Sequence, residues 1–451
     1  MRIAVALAAG ILLYFVLGLN PTWQAAWIAP IPLLLLLDVP RRQLWLFAIL
    51  AASMGLASLF SYLRMIASAP IALSLILLQA ATWGLVLRRM QVVTQGSRHW
   101  LIPFAYPVLW AGLDTVIKSF SPHGSWGSLA YTQMEFLPVI QIASLTGTAG
   151  VVFVLSLFAS TVATFAMKQF EIDRPALAYG LPAAIIATAL GFGYWRLAQP
   201  QSSNHVTVAI AADDRFNAPW GGYEDAARQA AGKGAKIFVM PEKIQALDLP
   251  EVAALNKKWS AIAQHLNMHI VTGITVVQPG RKDNAAMLFS SGGAPIAIYG
   301  KHHMVPGLES DLTPGKELVI RNAGALRVGL AICKDMDFPY LLRDYANAGV
   351  DLMLVPAWDF SVDAWMHSRM AILRGVENGF TIVRSAREGL LTVTDRCGRV
   401  LEQAQSGTGT LLIAAAPIEA DGGTFYSIAG DWFGWLCVAL SLASARFTRR
   451  E

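Results

Sequence analysis

Three phrases in the second half of the chain decide its fold and its chemistry: Val239-Met-Pro-Glu242-Lys243, Tyr299-Gly-Lys301-His-His-Met-Val-Pro306 and Ala331-Ile-Cys333-Lys334-Asp335. Each phrase places a carboxylate, an amine or a thiol at the end of an apolar run. Such runs are typical of buried strands, and α/β folds gather functional side chains where their strands end. The sequence therefore predicts that Glu242, Lys301 and Cys333 meet in one pocket.

Taken together, these three residues favour acyl-transfer chemistry. A thiolate is a nucleophile, a carboxylate can accept the thiol proton, and an amine can stabilise both the thiolate and a tetrahedral oxyanion. Taken alone, each has a structural interpretation: a small buried hydrophobe for Cys333, a first-turn acid for Glu242 and a solvated amine for Lys301. Their joint occurrence favours the catalytic interpretation.

The composition separates a membrane part from a polar part. The chain has 451 residues, 55% of them hydrophobic and 14% charged, whereas soluble proteins carry about 25% charged residues. The net charge of +5 comes with no basic stripe, so we expect no nucleic-acid partner. Neither the three cysteines nor His302 and His303 have metal-ligand spacing, so we expect no metal, disulfide or cofactor.

The apolar segments predict a helical membrane bundle at residues 1-198, a polar domain at 204-420 and a last transmembrane helix at 426-446. A helix needs about 20 apolar residues to cross a bilayer. About seven spans are predicted in the first part, near 2–19, 22–37, 43–65, 69–87, 101–118, 139–167 and 176–196.

Lysine and arginine lie in alternate loops, which predicts that both termini are cytoplasmic and that the polar domain faces outward, to the periplasm. The uncharged loop from Trp126 to Gln133 would then also face outward, either as an interfacial aromatic belt or as a lining for lipid access. Asp114 is the main acid within the predicted bundle.

The polar domain alternates strand-like and helical runs, which predicts an α/β or layered α-β-β-α arrangement. The strands are predicted at 206–211, 236–240, 269–277, 284–289, 327–332, 352–356 and 381–385, and the helices at 223–232, 253–266, 340–348 and 365–378.

These motifs resemble the nitrilase, or carbon–nitrogen hydrolase, superfamily, which uses a Glu–Lys–Cys triad. The phrase from Tyr299 to Glu309 is similar to its Y-x-K-x-x-L-V-P-F-G-E motif, and the segment from Trp365 to Gly379 to its W-x-H-x-x-M-A helix. The membrane segments on both sides narrow the resemblance to the apolipoprotein N-acyltransferase family. It implies a polytopic α-helical membrane bundle plus a nitrilase-like α-β-β-α sandwich.

The resemblance implies roles for individual residues. Cys333 would be the nucleophile, Glu242 the base and Lys301 the oxyanion stabiliser, with Glu309 as a second acid that orients or gates the site. Five further residues are expected to bind substrate or support the site: Trp220, Lys334, Asp335, Trp358 and His367.

The sequence departs from the family beside the nucleophile. The family usually follows its cysteine with Tyr-Glu, whereas Lys334 and Asp335 stand here. The added cation would favour an anionic lipid donor or lower the pKa of the thiol. Lys243, after the glutamate, stands where the family has Thr or Ser.

The resemblance implies a multi-pass protein of the bacterial inner membrane that acts as a monomer. It would move an acyl chain from a phospholipid through a Cys thioester to the N-terminal amine of a diacylglyceryl-cysteine lipoprotein. Two alternatives stay open at this point. The first is a membrane-anchored amidase with the same triad and water as acceptor, and the second is a transporter or scaffold with an inactive outer domain.

Overall fold

The computed structural model describes residues 1–95, 97–167, 171–214, 220–418 and 423–447. The chain divides into two compact units. The first comprises Met1–Ala198 and Ala429–Glu451, and the second comprises Gln199–Ile428.

The helices of the described residues are α1 (Arg2–Tyr14), α2 (Trp23–Ile28), α3 (Ile31–Leu34), α4 (Arg41–Leu56), α5 (Phe60–Ile66), α6 (Ala69–Thr94), α7 (Ile102–Phe120), α8 (Leu137–Ile140), α9 (Ala143–Thr146), α10 (Thr148–Ala166), α11 (Pro175–Ala198), α12 (Trp220–Gly232), α13 (Leu249–His265), α14 (Pro339–Asn347), α15 (Ala364–Asn378), α16 (Phe425–Ala429) and α17 (Trp432–Phe447). Short 3-10 helices cover Ala57–Leu59, Leu129–Gln133 and Cys333–Asp337.

The strands are β1 (His205–Ala212), β2 (Ile237–Val239), β3 (Ala246–Leu247), β4 (His269–Gln278), β5 (Arg281–Phe289), β6 (Ala297–Gly300), β7 (Ile320–Ala323), β8 (Leu326–Leu330), β9 (Leu352–Trp358), β10 (Thr381–Arg387), β11 (Leu390–Thr394), β12 (Val400–Gln405) and β13 (Thr410–Pro417).

In its described part, the first unit consists of helices joined by loops and contains no strand. By length and composition, four of its helical stretches can cross a membrane: Arg41–Ile66, Ala69–Thr94, Thr148–Ala166 and Pro175–Ala198. They correspond to the predicted spans at 43–65, 69–87 and 176–196, and Thr148–Ala166 covers the second part of the predicted span at 139–167. Large apolar side chains on these helices stay exposed, Leu78 by 68% and Phe165 by 73%, as expected for surfaces that contact lipid.

The predicted span at 101–118 is the continuous helix α7, whereas three other predicted spans are not single helices. The run at 2–19 is helical only over the 13 residues of α1, or about 20 Å at the usual rise of 1.5 Å per residue. The run at 22–37 is divided between α2 and α3, because Pro30 lies between them. Gly147, with a φ of 65°, separates α9 from α10 within the run at 139–167.

The last helix of the chain completes this first unit. α17 packs against α7 and α10. Gly434 allows the close approach to α7, because a Cβ at that position would lie 2.1 Å from Thr115 Oγ1. Lys118, buried in α7, donates a hydrogen bond of 2.6 Å to Asp431 just before α17.

The second unit is a two-sheet sandwich. Its seven-stranded sheet has the order β13-β1-β2-β4-β5-β6, with β3 paired to β4, and its six-stranded sheet has the order β12-β11-β10-β9-β8-β7. Side chains of α12 and α13 pack on the outer face of the first sheet, and α15 packs on β10 and β11 of the second. The predicted α-β-β-α class is confirmed.

Successive side chains of each strand point to opposite faces of the sheet, and this alternation determines which residues form the core. In β1, Val208 and Ile210 belong to the cluster that both sheets share, whereas Ala209 and Ala211 face the helices on the other side. The parallel pairing of β1 with β2 continues this pattern, since Val208 lies beside Ile237. Burial on both faces explains why these strands read as continuous apolar runs.

A glycine in β4 sets the position of Glu242. The N–H of Gly273 donates to the carbonyl of Pro241 at 3.1 Å. A Cβ on Gly273 would lie 2.6 Å from both the Cα of Glu242 and the carbonyl oxygen of Pro241. Backbone atoms cannot move aside as a flexible side chain would, so only glycine fits here.

We expect Gly273→Ala to displace the Glu242 segment and to destabilise the catalytic unit by about 1–3 kcal/mol, the usual cost of overpacking. Thermal unfolding of the purified protein measures this loss. Gly222→Ala in α12 is the matched control, because a Cβ there meets nothing within 4 Å. Equal melting temperatures for the two variants would contradict this account of Gly273.

Candidate active site

A buried lysine held between two carboxylates forms the centre of the site. Lys301, directly after β6, is 1% exposed. Its ammonium donates to Glu242 Oε1 at 2.9 Å and to Glu309 Oε2 at 2.9 Å. Glu242 follows β2, and Glu309 lies in the loop after Lys301, so three separate segments supply the charges. The structure thus brings together three of the predicted site residues.

Neighbouring donors hold both carboxylates in place. Asn284 on β5 donates from its amide to Glu242 Oε1 at 2.6 Å and to Glu309 Oε1 at 3.3 Å. The N–H of Val305 donates to Glu309 Oε2 at 2.9 Å, and Lys243 donates to Glu309 Oε1 at 2.5 Å. Such a network satisfies charges that would be costly to bury alone.

The mutual charges keep Lys301 and Glu309 ionised. Burial alone would lower the pKa of Lys301, but Glu242, Cys333 and Glu309 together raise it. Burial would likewise raise the pKa of Glu309, but Lys301 and Lys243 lower it to about 2. The lysine is therefore a fixed positive charge at neutral pH, available to stabilise an anion that forms beside it.

Cys333 reaches the same site from the other sheet. It follows β8 and begins a 3-10 helix, and its φ of 43° lies in the left-handed region. The residue is partly exposed, and its thiol donates to the carbonyl of Trp358 at 3.5 Å. A strained backbone at a helix start presents the side chain beside amide N–H groups that have no partner within the helix.

The pKa of the Cys333 thiol is raised well above its ordinary value, first by burial and then by the charge of Glu242, while Lys301 opposes the shift. The resting thiol is therefore neutral. A nucleophile of this kind needs a base at the moment of reaction, and a carboxylate close enough to raise its pKa is well placed to be that base.

Asp335 connects the cysteine turn to the lysine strand. It is fully buried, and its Oδ2 accepts from the Tyr299 hydroxyl at 2.7 Å and from the Ile332 N–H at 3.1 Å. Its Oδ1 accepts from the N–H of His303 at 2.9 Å and contacts the ring Nδ1 of the same residue at 2.9 Å. The predicted supporting residue thus links the segments around Lys301 and Cys333.

Trp358, the last residue of β9, lies between two cations. Lys243 Nζ is 5.5 Å from its ring centroid and the Arg387 guanidinium 4.7 Å. Beside it, Asp359 and Arg384 form a buried two-pronged ion pair with distances of 2.5 and 2.9 Å. This wall is aromatic and cationic next to the Cys333 thiol.

Two further predicted residues, Lys334 and His367, contact aspartates. Lys334 directs its ammonium to Asp337 at 3.2 Å, and the pKa of Cys333 is raised, so the expectation of a thiol acidified by Lys334 is wrong. His367 on α15 contacts Asp363 at 3.2 Å. Burial alone would lower the pKa of His367, but Asp363 and Asp337 raise it to about 9. The side chain of Trp220 lies outside the described residues.

Two residues of the carboxylate network are not among the predicted site residues. Asn284 lies in a predicted strand, where a polar side chain inside an apolar run signals a specific partner. Lys243 differs from the residue that is usual after the glutamate, and it contacts Glu309 and Trp358.

Comparisons with known proteins agree with both parts of the chain. The family model described as Carbon-nitrogen hydrolase matches residues 207–420, and the one described as Apolipoprotein N-acyltransferase N-terminal domain matches residues 9–161. The chain is 26% identical to the apolipoprotein N-acyltransferase of Geobacter metallireducens over 77% of this chain and 74% of that protein. It is 25% identical to that of Vibrio parahaemolyticus over 95% of this chain and 94% of that protein.

The chain belongs to the apolipoprotein N-acyltransferase family. Members of this family are acyltransferases of the nitrilase superfamily, and the apolar helices of this member fit its association with the membrane. Among solved structures, an amidase from Nesterenkonia sp. is similar at 22% identity, with a TM-score of 0.42, over 49% of this chain and 93% of that one.

We expect Glu242→Gln to lower the pKa of Cys333, because it removes the neighbouring negative charge while Lys301 stays. The rate of iodoacetamide alkylation at Cys333, followed by peptide mass, should then rise at lower pH than in the wild type. Glu309→Gln is the control, since Glu309 contacts Lys301 rather than the thiol, and a smaller shift is expected. An alkylation profile of Glu242→Gln that stays in place or moves to higher pH would contradict this account.

Proposed function

We propose that this protein moves an acyl chain from a membrane phospholipid, through a thioester on Cys333, to the N-terminal amine of a diacylglyceryl-cysteine lipoprotein. The observation that carries the proposal is the buried Glu242–Lys301–Glu309 array beside Cys333. Membership of the apolipoprotein N-acyltransferase family supports lipoprotein N-acylation. The phospholipid donor and a monomeric state are parts of the same proposal.

In the first half-reaction, Glu242 accepts the thiol proton as the sulfur of Cys333 attacks the ester carbonyl. The hydrogen bonds to Glu242 from Asn284 and Lys301 both end on Oε1, within the described part of the chain, which leaves Oε2 for that proton. Lys301 stabilises the oxyanion of the tetrahedral intermediate. The intermediate collapses to the thioester, and the proton leaves with the lysophospholipid.

In the second half-reaction, the lipoprotein amine attacks the thioester carbonyl. Glu242 accepts a proton from the amine, the carbon–sulfur bond breaks, and the proton returns to the sulfur of Cys333. Glu309 is a positioning residue in this scheme, because its contacts are to Lys301, Lys243 and Asn284. The fixed charge of Lys301 serves both steps, as their intermediates carry the same negative oxygen.

The amidase alternative shares the first half-reaction and differs in its acceptor. Residues 9–161 match the N-terminal domain of apolipoprotein N-acyltransferases, and this match lies outside the carbon–nitrogen hydrolase match at 207–420. The additional domain favours transfer. A membrane bundle suits two lipid substrates, whereas a small soluble amide needs none.

The central test uses purified protein with a phospholipid that carries a labelled sn-1 chain. We expect intact mass to show an acyl adduct on Cys333, and the label to move to a diacylated lipopeptide amine when that acceptor is added. Cys333→Ala should form no adduct. Glu242→Gln should form it about 10²–10⁴-fold more slowly, the usual loss when a general base is removed.

Two results would overturn the proposal. An adduct that is lost only to water in the presence of lipopeptide would favour the amidase. Turnover of small amides without any lipid adduct would do the same.

We further propose that the catalytic unit faces the periplasm in the inner membrane, as the alternating positive loops predict. Lys257→Cys, on the exposed side of α13, should react with a membrane-impermeant maleimide in intact spheroplasts. Arg98→Cys, in a loop predicted to be cytoplasmic, should react only after lysis. Both are made in a Cys333→Ala background, and the opposite labelling pattern would reverse the orientation.

A further inference from the structure

The acyl-transfer scheme gives no role to the ammonium of Lys243. This ammonium donates to Glu309 Oε1 at 2.5 Å and lies 3.9 Å from Glu242 Oε1. It also lies 5.5 Å from the ring centroid of Trp358, whose carbonyl accepts from the Cys333 thiol. The side chain of Lys243 is 21% exposed, so water screens its ion pairs only in part. Lys243 therefore adds a further cation to the active site.

The backbone of Lys243 is strained. Its φ of 50° lies in the left-handed region, which is unfavourable for a residue with a Cβ and favourable for glycine. The neighbours on both sides are fixed: the N–H of Glu242 donates to the carbonyl of Ala357 at 3.3 Å, and the N–H of Ile244 to that of Gly273 at 2.9 Å. Strain of this kind persists where surrounding contacts hold it, and it is concentrated at functional sites. Here it lets two adjacent residues direct their charged side chains into the site.

Glu309 anchors the loop of residues 302–315, which contains no helix or strand. Its carboxylate accepts from the N–H of Val305 within the loop, and from Lys243 and Lys301 outside it. The N–H of Glu309 donates to the carbonyl of Val305 at 3.0 Å, which closes a turn around the carboxylate. A protonated acid becomes a donor and can accept less. The position of the loop therefore depends on the ionisation of Glu309.

Lys243 helps to keep Glu309 ionised. Burial alone would raise the pKa of Glu309, but Lys301 and Lys243 lower it to about 2. The titratable groups around Glu309 are these two ammonium groups, and Lys301 in turn neighbours Glu242 and Cys333. Lys301 is shared, since both carboxylates accept from it at 2.9 Å. Lys243, in contrast, lies closer to Glu309 than to Glu242.

We propose that Lys243 is a positioning residue that holds the Glu309 carboxylate and its loop in place, and so keeps the active site assembled at acidic pH. The inference rests on the proposed acyl transfer for its activity readout. Without Lys243, one ammonium serves both carboxylates. Loss of a nearby opposite charge raises the pKa of a carboxyl group by about 1–3. Glu309 of such a variant therefore protonates at a higher pH than in the wild type, and the site is lost as the pH falls.

The activity test follows thioester formation on Cys333 of the full-length protein, because this half-reaction involves no acceptor amine that would titrate. We expect the ratio of wild-type to Lys243→Met rates to rise at least about 2-fold between pH 7 and pH 4, as Glu309 protonates in the variant. Lys243→Arg keeps the charge and should follow the wild type. Lys282→Met is the matched control, since it removes an exposed ion pair with Asp311 of the same loop, and its ratio should stay constant.

A second measurement needs no catalysis. Hydrogen exchange of the loop of residues 302–315 is followed by mass spectrometry in a Cys333→Ala background, with correction for the intrinsic pH dependence of exchange. We expect Lys243→Met to exchange faster than its parent, with a larger difference at pH 4 than at pH 7. Lys243→Gly should behave in the same way, because glycine accepts the φ of 50° and removes only the charged side chain.

Equal loop exchange in the parent, Lys243→Met and Lys243→Gly at both pH values overturns the proposal. A ratio of thioester rates that does not change with pH in Lys243→Met overturns it as well. A wild type that forms no thioester at any pH refutes the acyl-transfer proposal instead, and the exchange result alone then decides the role of Lys243.

Discussion

The pairing of one buried lysine with two buried carboxylates constrains the whole catalytic unit. Removing one member of such a group leaves an uncompensated buried charge, which usually costs about 3–5 kcal/mol. Glu242 follows β2, Lys301 and Glu309 follow β6, and Asn284 on β5 donates to both carboxylates, so the seven-stranded sheet must hold β2, β5 and β6 in register. The polar network and the apolar core therefore both depend on the same positions of these strands. Gly273 on β4 contacts the Glu242 segment directly.

The nucleophile follows a strand of the opposite sheet, so the thiol and the charged groups that assist it come from different sheets. Cys333 follows β8 in the six-stranded sheet, whereas the charged groups follow strands of the other. The packing of the sandwich therefore sets the distance between the thiol and its base. Asp335 makes this distance specific, since it joins the Tyr299 hydroxyl on β6 to the turn that carries Cys333. A strained φ at Cys333 persists because these contacts hold it.

Much of the fold could be predicted, because the central strands are short apolar runs ended by polar residues. Residues 206–211 and 269–277 agree with β1 and β4 to within one residue at either end. The strands β3, β7, β11, β12 and β13 were not predicted, and among them β7, β12 and β13 have exposed or mixed faces that leave no apolar run. In the bundle, the helix breaks at Pro30 and Gly147 lie within continuous apolar runs and could not be predicted from hydropathy. Hydropathy indicates burial or lipid contact and does not indicate whether a helix is continuous.

The site was predictable as a set of residue types and less so as a set of contacts. Glu242, Lys301 and Glu309 meet as expected, but the direction of the Lys334 side chain depends on Asp337, three residues further along a 3-10 turn. Side-chain partners of this kind are decided by tertiary packing. Asn284 shows the same limit, because its two carboxylate partners lie 42 and 25 residues away in the chain.

The order of synthesis gives the Lys118–Asp431 pair a further consequence. The two residues are 313 positions apart, and Asp431 leaves the ribosome only after the entire sandwich has been made. Until then α7 carries a buried lysine without this counter-charge, and the helical unit lacks α17. The sandwich is therefore synthesised while its membrane unit is still incomplete, and a chain truncated before α17 lacks the Asp431 partner of Lys118. Completion of the bundle by α17 thus requires that the sandwich has already been translated.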